Sequence, residues 1–166
     1  MVLAYLSAPI IHSDLRKDDF CTVVMKTLED KGITVFAPQF LGPAEPNVIY
    51  QRDVENVMKS DFLIAEISNP SLGVGMEIML SIEQIKPVLL FYNADIKNLS
   101  KMVKGAPGKA LFVYNSLEDV EEVLHNLNLD NLLVLNCANC DSHVAEVIDD
   151  EIHCIACGSI ISGGGQ

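Results

Sequence analysis

Asp61-Phe62-Leu63-Ile64-Ala65-Glu66-Ile67 runs directly into Ser68-Asn69-Pro70-Ser71-Leu72-Gly73-Val74-Gly75-Met76-Glu77-Ile78. The first seven residues are almost continuously apolar, which predicts a short strand buried on both faces of a parallel sheet. Pro70 and the glycines Gly73 and Gly75 end that strand and predict a turn in which the backbone approaches a ligand closely. A helix over 75–85 then places Glu77 in its first turn, where free N–H groups and the positive end of the helix dipole favour an ionised carboxylate. Such a carboxylate can serve as a nucleophile. Ser71 and the loop amides can hold an anionic group such as a phosphate. A plainer reading stands beside this one. Acids are common in first helical turns, and a loop serine is often only a cap. Val74 occupies the position where a capping box anchored on Ser71 would need Glu or Gln.

The same alternation extends to both sides. Residues 2–6 read as a first strand ending at Ser7-Ala8-Pro9, and 18–31 as an amphipathic helix closed by Gly32. Residues 33–37 read as a second strand, followed by a Pro/Gly loop and a helix over 48–59. Residues 87–92 and 110–114 supply two further strands, separated by a Lys/Gly segment, 97–109, that reads as mobile. Ser116 caps a last helix reaching about 127. Strands alternating with helices predict an α/β fold, a doubly wound parallel five-stranded sheet of the Rossmann or flavodoxin-like kind with ligands at the carboxyl ends of its strands.

Within the 48–59 helix, Ile49, Asp53 and Val57 share one stripe, so Asp53 interrupts an apolar face. It is either a buried carboxylate satisfied by a cap or amides, or a functional acid. Arg52, Glu55 and Lys59 read as a solvated face, with Glu55 and Lys59 an i,i+4 pair. Two carboxylates reaching one cleft are the usual apparatus for cleaving a glycosidic bond. Glu66 is a weaker candidate, pointing either into that cleft or toward a subunit interface.

At 166 residues the chain can bury one core and carry a small added module. No apolar run reaches the ~18 residues of a membrane span, and no basic flank precedes an N-terminal apolar stretch, so a soluble, cytoplasmic protein is expected. The net charge is -12, and no Lys or Arg follows Lys109, whereas ten Asp or Glu lie between Glu118 and Glu151. This distribution argues against nucleic-acid binding, which needs basic side chains to neutralise phosphates.

Tyr5-Leu6-Ser7-Ala8-Pro9, Asp53-Val54-Glu55, Ser60-Asp61 and above all Asn69-Pro70-Ser71-Leu72-Gly73-Val74-Gly75-Met76-Glu77 resemble the nucleoside 2-deoxyribosyltransferase superfamily, over residues 1–127. The branch they resemble most is the 2'-deoxynucleoside 5'-phosphate N-hydrolases. The resemblance implies that Glu77 is the nucleophile attacking the anomeric carbon, that Asp53 assists departure of the base, and that Tyr5 borders the sugar. It implies a nucleoside or nucleotide substrate, a homodimer or larger homo-oligomer, and no organic cofactor. Transferases of free nucleosides carry an aspartate where this chain has Ser71, and a hydroxyl can donate to a 5'-phosphate that a carboxylate would repel. The hydrolases carry a Gly-Ser-x-Arg type of phosphate loop after the first strand, whereas this chain has Ala8-Pro9-Ile10-Ile11, closer to the transferase version. Ser7, Ala8, Pro9, Ser71, Gly73 and Gly75 are therefore expected around the substrate. His12, Ser13 or Arg16 stands in for the missing arginine, and Lys109 for a serine that a neighbouring hydrolase subunit donates. Base exchange between deoxynucleosides is the alternative activity. A nucleotide-sensing module without turnover is the alternative of another class.

Cys137-Ala138-Asn139-Cys140 and Cys154-Ile155-Ala156-Cys157 form two CxxC knuckles thirteen residues apart. Four thiolates so spaced suit a tetrahedral structural zinc. Disulfides are disfavoured in a reducing compartment, and an iron centre with four thiolates remains an alternative. With short strands at 132–135 and 145–148 the segment reads as a zinc ribbon, bound for stability, oligomer contacts or a protein partner. His143 and His153 read as spectators and Cys21 as a core thiol. The expected division is an α/β domain over 1–128, the ribbon over 129–162, and a disordered glycine tail over 163–166.

Overall fold

The structure is a computed structural model that describes residues 1–161; the glycine tail expected over 163–166 lies outside them. The chain begins with β1 (Leu3–Ser7), α1 (Asp18–Asp30), β2 (Thr34–Phe36), α2 (Pro46–Lys59), β3 (Phe62–Glu66) and α3 (Leu72–Glu83). It continues with β4 (Val88–Tyr92), α4 (Lys101–Gly105), β5 (Lys109–Val113) and α5 (Leu117–Asn126). Every sheet neighbour among β1–β5 is parallel, and the order is β2-β1-β3-β4-β5, the flavodoxin-like arrangement. The order reverses beside β1, which lies between β2 and β3, so a crevice opens there at the carboxyl ends.

Both faces of the sheet are covered, and side-chain parity sorts its residues. Ala4, Leu6, Phe62, Ile64, Leu89 and Phe91 pack on the side of α1 and α5. Tyr5, Leu63, Ala65, Val88 and Leu90 pack on the other side, with Val57 of α2 and Val74 and Ile78 of α3. Cys21 is fully buried in the first of these clusters, a core thiol as expected, and burial pushes it up to about 12.

Helix ends follow local chemistry. Pro46 opens α2 at a position where the missing N–H costs nothing. Lys86 reaches back to close α2, its Nζ donating to the carbonyls of Met58 at 2.8 Å and Ser60. Ser116 and Asp119 form a capping box on α5. Gly32, at φ +76°, lets the chain turn from α1 into β2. The 97–109 segment carries a short helix that was not expected: Ser100 caps it, its Oγ accepting from Val103 N at 3.4 Å.

α3 departs most from expectation. It starts at Leu72 rather than 75, because Ser71 caps it by accepting from Val74 N. Gly73 and Gly75 therefore lie inside the helix, and Glu77 falls in the second turn, beyond the reach of the free N–H groups. At its other end Ile85 N donates to Ile82 O (2.9 Å) and Lys86 N to Ser81 O (3.0 Å), a Schellman closure that puts Ile85 at φ 55°.

The C-terminal segment adds β6 (Leu132–Val134), β7 (Val144–Ile148) and β8 (Glu151–Cys154) in an antiparallel sheet. Asp149 and Asp150, both at positive φ, make the two-residue turn between β7 and β8. This unit is docked rather than tethered. Val144 and Ile155 are buried in the same cluster as Leu124, Leu127 and Leu129. The expected boundary between 128 and 129 therefore crosses a shared core.

Ile85 is β-branched, 76% exposed and left-handed, a conformation that costs a non-glycine residue roughly 1–2 kcal/mol. Ile85→Gly should raise stability by about 1 kcal/mol after the glycine's larger unfolded-state entropy is counted. Urea unfolding checks this; an unchanged or lower midpoint contradicts it.

Candidate active site

Tyr5 and Ser7 sit two residues apart on β1 and so share the face toward α2 and α3. Glu77 comes down from α3 onto both. The Tyr5 hydroxyl donates to Glu77 Oε1 at 2.8 Å, and the Ser7 hydroxyl donates to Oε2. Tyr5 is fully buried and Ser7 1% exposed, so their hydroxyls have little access to water. Phe36 of β2 packs beside the Tyr5 ring, centroids 5.5 Å apart.

α2 brings Asp53 to the same place. Along its stripe Val57 is in the core, Asp53 is partly buried and Ile49 is exposed, so Asp53 occupies the rim. Arg52 is not the solvated residue expected. Its Nε donates to Asp53 Oδ1 at 2.7 Å, and its side chain is 25% exposed against 14% for Asp53. The helix stripe could not reveal this, because the guanidinium curls back toward the adjacent residue. Glu55 and Lys59 do form the exposed i,i+4 pair, at 3.3 Å.

These charges compete over Glu77. Burial pushes its carboxyl up to about 7, against the hydrogen bonds from Ser7 and Tyr5, which favour the ionised form. Asp53 raises it further and Arg52 lowers it. Burial raises Tyr5 strongly as well, with Glu77 adding to the effect, so the phenol stays protonated and donates. The helix-dipole account of an ionised Glu77 is thus replaced by a carboxyl poised near neutrality, held by two hydroxyl donors.

The other expected residues are more scattered. Ser71 caps α3 six residues before Glu77, about 9 Å along the axis. A Cβ added at Gly73 or Gly75 meets no atom within 4 Å, so the space over this turn is open. Ala8 packs into the core on the α1 side, Pro9 is buried and His12 is exposed. Arg16 is occupied: it pairs with Asp18 at 2.9 Å and donates to the carbonyls of Ile10 and Gln39, pinning the loop after β1. Lys109 is not brought to the cluster. It opens β5 at the opposite, amino end of the sheet, 6% exposed, with Nζ donating to Ala106 O at 2.8 Å. Glu66 faces neither the cleft nor a free surface. Its parity turns it to the α1 side, fully buried, where Ser68 and Tyr114 (3.0 Å) donate to it.

A wide concavity lies elsewhere. About 950 Å³ opens between α3 and the α4 segment, lined by Leu72, Met79, Ile82, Met102, Val103 and Pro107 among others, but not by Tyr5, Asp53 or Glu77.

The four knuckle cysteines converge as their spacing predicted. Their sulfurs all lie within 4.8 Å of one another, with Cys137 to Cys157 at 3.6 Å and Cys140 to Cys154 at 3.5 Å. All four thiols are free, and metal–sulfur bonds of about 2.3 Å in a tetrahedron put sulfurs about 3.8 Å apart, so the set fits one metal ion. Asn139 N donates to Cys137 Sγ at 3.3 Å, the kind of contact that stabilises a ligating thiolate. His153 pairs with Glu151 at 3.3 Å. Neither histidine joins the four sulfurs, as expected, but His143 has another contact: its Nδ1 accepts from Gly108 N at 3.1 Å.

Glu77's pH response follows from its raised value. A folded carboxyl that binds its proton more tightly than the unfolded one favours folding at low pH, and that benefit is lost as pH rises from about 4.5 through about 7. Glu77→Gln should therefore be more stable than the wild type at pH 8, with the difference shrinking toward pH 5. Thermal melts across that range check it; a pH-independent difference contradicts it.

Comparison with known proteins places the chain in a family. The family described as nucleoside 2-deoxyribosyltransferase matches residues 4–133. A Nematostella vectensis protein provisionally named 2'-deoxynucleoside 5'-phosphate N-hydrolase 1 is 43% identical over 81 residues, 47% of this chain and 55% of that one. The Danio rerio 5-hydroxymethyl-dUMP N-hydrolase is 43% identical over 79 residues, 46% of this chain and 55% of that one. The chain thus spans about half the length of these curated relatives. The solved CMP N-glycosidase of Clostridium botulinum superposes with a TM-score of 0.60 at 19% identity, covering 74% of this chain and 97% of that one, a likeness of fold. The chain belongs to the nucleoside 2-deoxyribosyltransferase family.

Proposed function

We propose that the protein is an N-glycosidase of 2'-deoxyribonucleoside 5'-monophosphates. The observation that carries this reading is the Glu77 carboxyl, gripped by Tyr5 and Ser7 at the strand ends with Asp53 close enough to act on its charge. In the reaction, a Glu77 oxygen bonds to C1' as the bond from C1' to the base nitrogen breaks, and Asp53 supplies the proton that the departing base takes up. Water then attacks C1', releases Glu77 and returns a proton to Asp53. Tyr5 and Ser7 orient the nucleophile, so that one oxygen of a pre-set carboxylate meets the sugar. Arg52 steadies Asp53.

The nucleotide preference rests on Ser71. Its hydroxyl caps α3 beside open space at the helix start, where free amides and a donor suit a 5'-phosphate. Base exchange is the second reading, favoured by the Ala8-Pro9-Ile10-Ile11 loop. A homodimer or larger assembly is part of the proposal, supported by Leu72, Met76, Met79 and Met102, which are exposed around the α3–α4 groove. So is a structural zinc on Cys137, Cys140, Cys154 and Cys157, supported by a closed set of four thiolates that suits tetrahedral zinc. No helix among the described residues is long and apolar enough to cross a membrane.

Incubation with a panel of deoxynucleoside monophosphates should yield free base and sugar phosphate, and Glu77→Ala should lose that activity by a factor of roughly a thousand or more, as expected when a covalent nucleophile is removed. Absence of free base with the wild type sinks the enzyme reading. A new nucleoside formed on adding a second base identifies transfer instead. Ser71→Asp keeps a good cap, so it should fold and raise the KM for monophosphates about tenfold or more, the scale of one lost charge-assisted hydrogen bond. An unchanged KM removes Ser71 from the phosphate site.

A further inference from the structure

The cysteine unit is built into the sheet at one point that no glycosidase chemistry requires. His143 follows the second ligand, Cys140, by three residues. Its N–H donates to Lys109 O at 2.8 Å, and its Nδ1 accepts from Gly108 N at 3.1 Å. One residue of the ribbon thus satisfies two backbone groups at the start of β5. Gly108, at φ +69°, is where the chain turns from the α4 segment into the strand, and its carbonyl accepts from Val88 N of β4 at 3.1 Å. Immediately before it, Gly105, Ala106 and Pro107 line the 950 Å³ groove, and Lys109 ties Ala106 O from the other side.

His143 is itself held by the knuckles. Cys137 N donates to Ser142 O at 2.9 Å, and Leu135 N donates to His143 O at 3.0 Å. The second knuckle enters the core directly: Ile155, between Cys154 and Cys157, is 7% exposed, and its N–H donates to Val144 O at 3.2 Å. A three-stranded sheet with strands of three, five and four residues has too little apolar surface to hold these positions unaided. The binding free energy of a structural metal becomes folding free energy for such a unit.

We infer that a metal ion on the four cysteines locks the α4–β5 connection, and with it one wall of the α3–α4 groove, through the two hydrogen bonds of His143. The cysteine unit is then a clamp on the family domain rather than a separate recognition module. This inference rests on the metal reading above and is independent of the glycosidase reading. It needs no basic surface on the ribbon, which has none.

Hydrogen exchange on the full-length protein, resolved over residues 101–113, tests it alongside metal analysis. The zinc-loaded protein should hold one zinc per chain. Removing the metal with a chelator, thiols kept reduced, should speed exchange at Gly108 about tenfold or more, and zinc alone should restore protection. His143→Ala should keep one zinc per chain and the exchange of β1 and β3, yet show the same acceleration at Gly108. Folded protein that binds no metal overturns the metal reading and this inference together. Zinc that binds while metal removal or His143→Ala leaves Gly108 within about twofold of the loaded wild type overturns this inference alone.

Discussion

A sheet covered by helices on both faces gives each polar side chain on its strands one of two destinations, and strand parity chooses between them. That constraint organises this protein. On β1, Ala4 and Leu6 go to the α1 side, and Tyr5 and Ser7 go to the side of α2 and α3. The two hydroxyls are buried within reach of whatever α3 lowers onto them, and α3 lowers Glu77. On β3 the same alternation sends Glu66 the other way, into a separate network with Ser68 and Tyr114. Glu66, fully buried, and Glu77, partly buried, therefore have unrelated neighbours.

The electrostatics of the cleft follow from how little water it admits. Burial penalises a charged Glu77, two hydroxyl donors reward it, Asp53 opposes it and Arg52 relieves it. The near-balance leaves the carboxyl close to its midpoint at neutral pH, where both protonation states are accessible at small cost. The environment of Glu77 is thus made by side chains from three elements, β1, α2 and α3. The Arg52–Asp53 pair links two of these effects, since the group that steadies Asp53 also eases ionisation of Glu77.

The ribbon illustrates how a small module becomes part of a larger core. Val144 and Ile155 bury their side chains with Leu124, Leu127 and Leu129, and Asn128 donates its side-chain amide to Val147 O at 2.7 Å. Apolar contact and backbone hydrogen bonding act at the same seam. A module joined in this way shares the stability of the sheet it covers, whatever else it binds.

Alternating apolar runs and helical stripes, set by side-chain hydropathy along the chain, made the five parallel strands and the helices α1, α2, α3 and α5 legible in the residues alone. The cluster of four cysteines was legible too, since a CxxC turn brings two sulfurs together locally. The Pro-Ser-Leu-Gly-Val-Gly-Met-Glu run singled out Glu77 by resemblance, and the Ile49-Asp53-Val57 stripe marked Asp53. Where α3 begins was decided by Ser71 taking the cap, which drew both glycines into the helix and moved Glu77 away from the dipole. The pairing of Arg52 with Asp53, the parity that separates Glu66 from Glu77, the grip of Tyr5 and Ser7, and the clamp of His143 on Gly108 came only with the tertiary structure. Each joins residues through packing in three dimensions or through a side chain's choice of rotamer, and neither leaves a periodic trace in the order of amino acids.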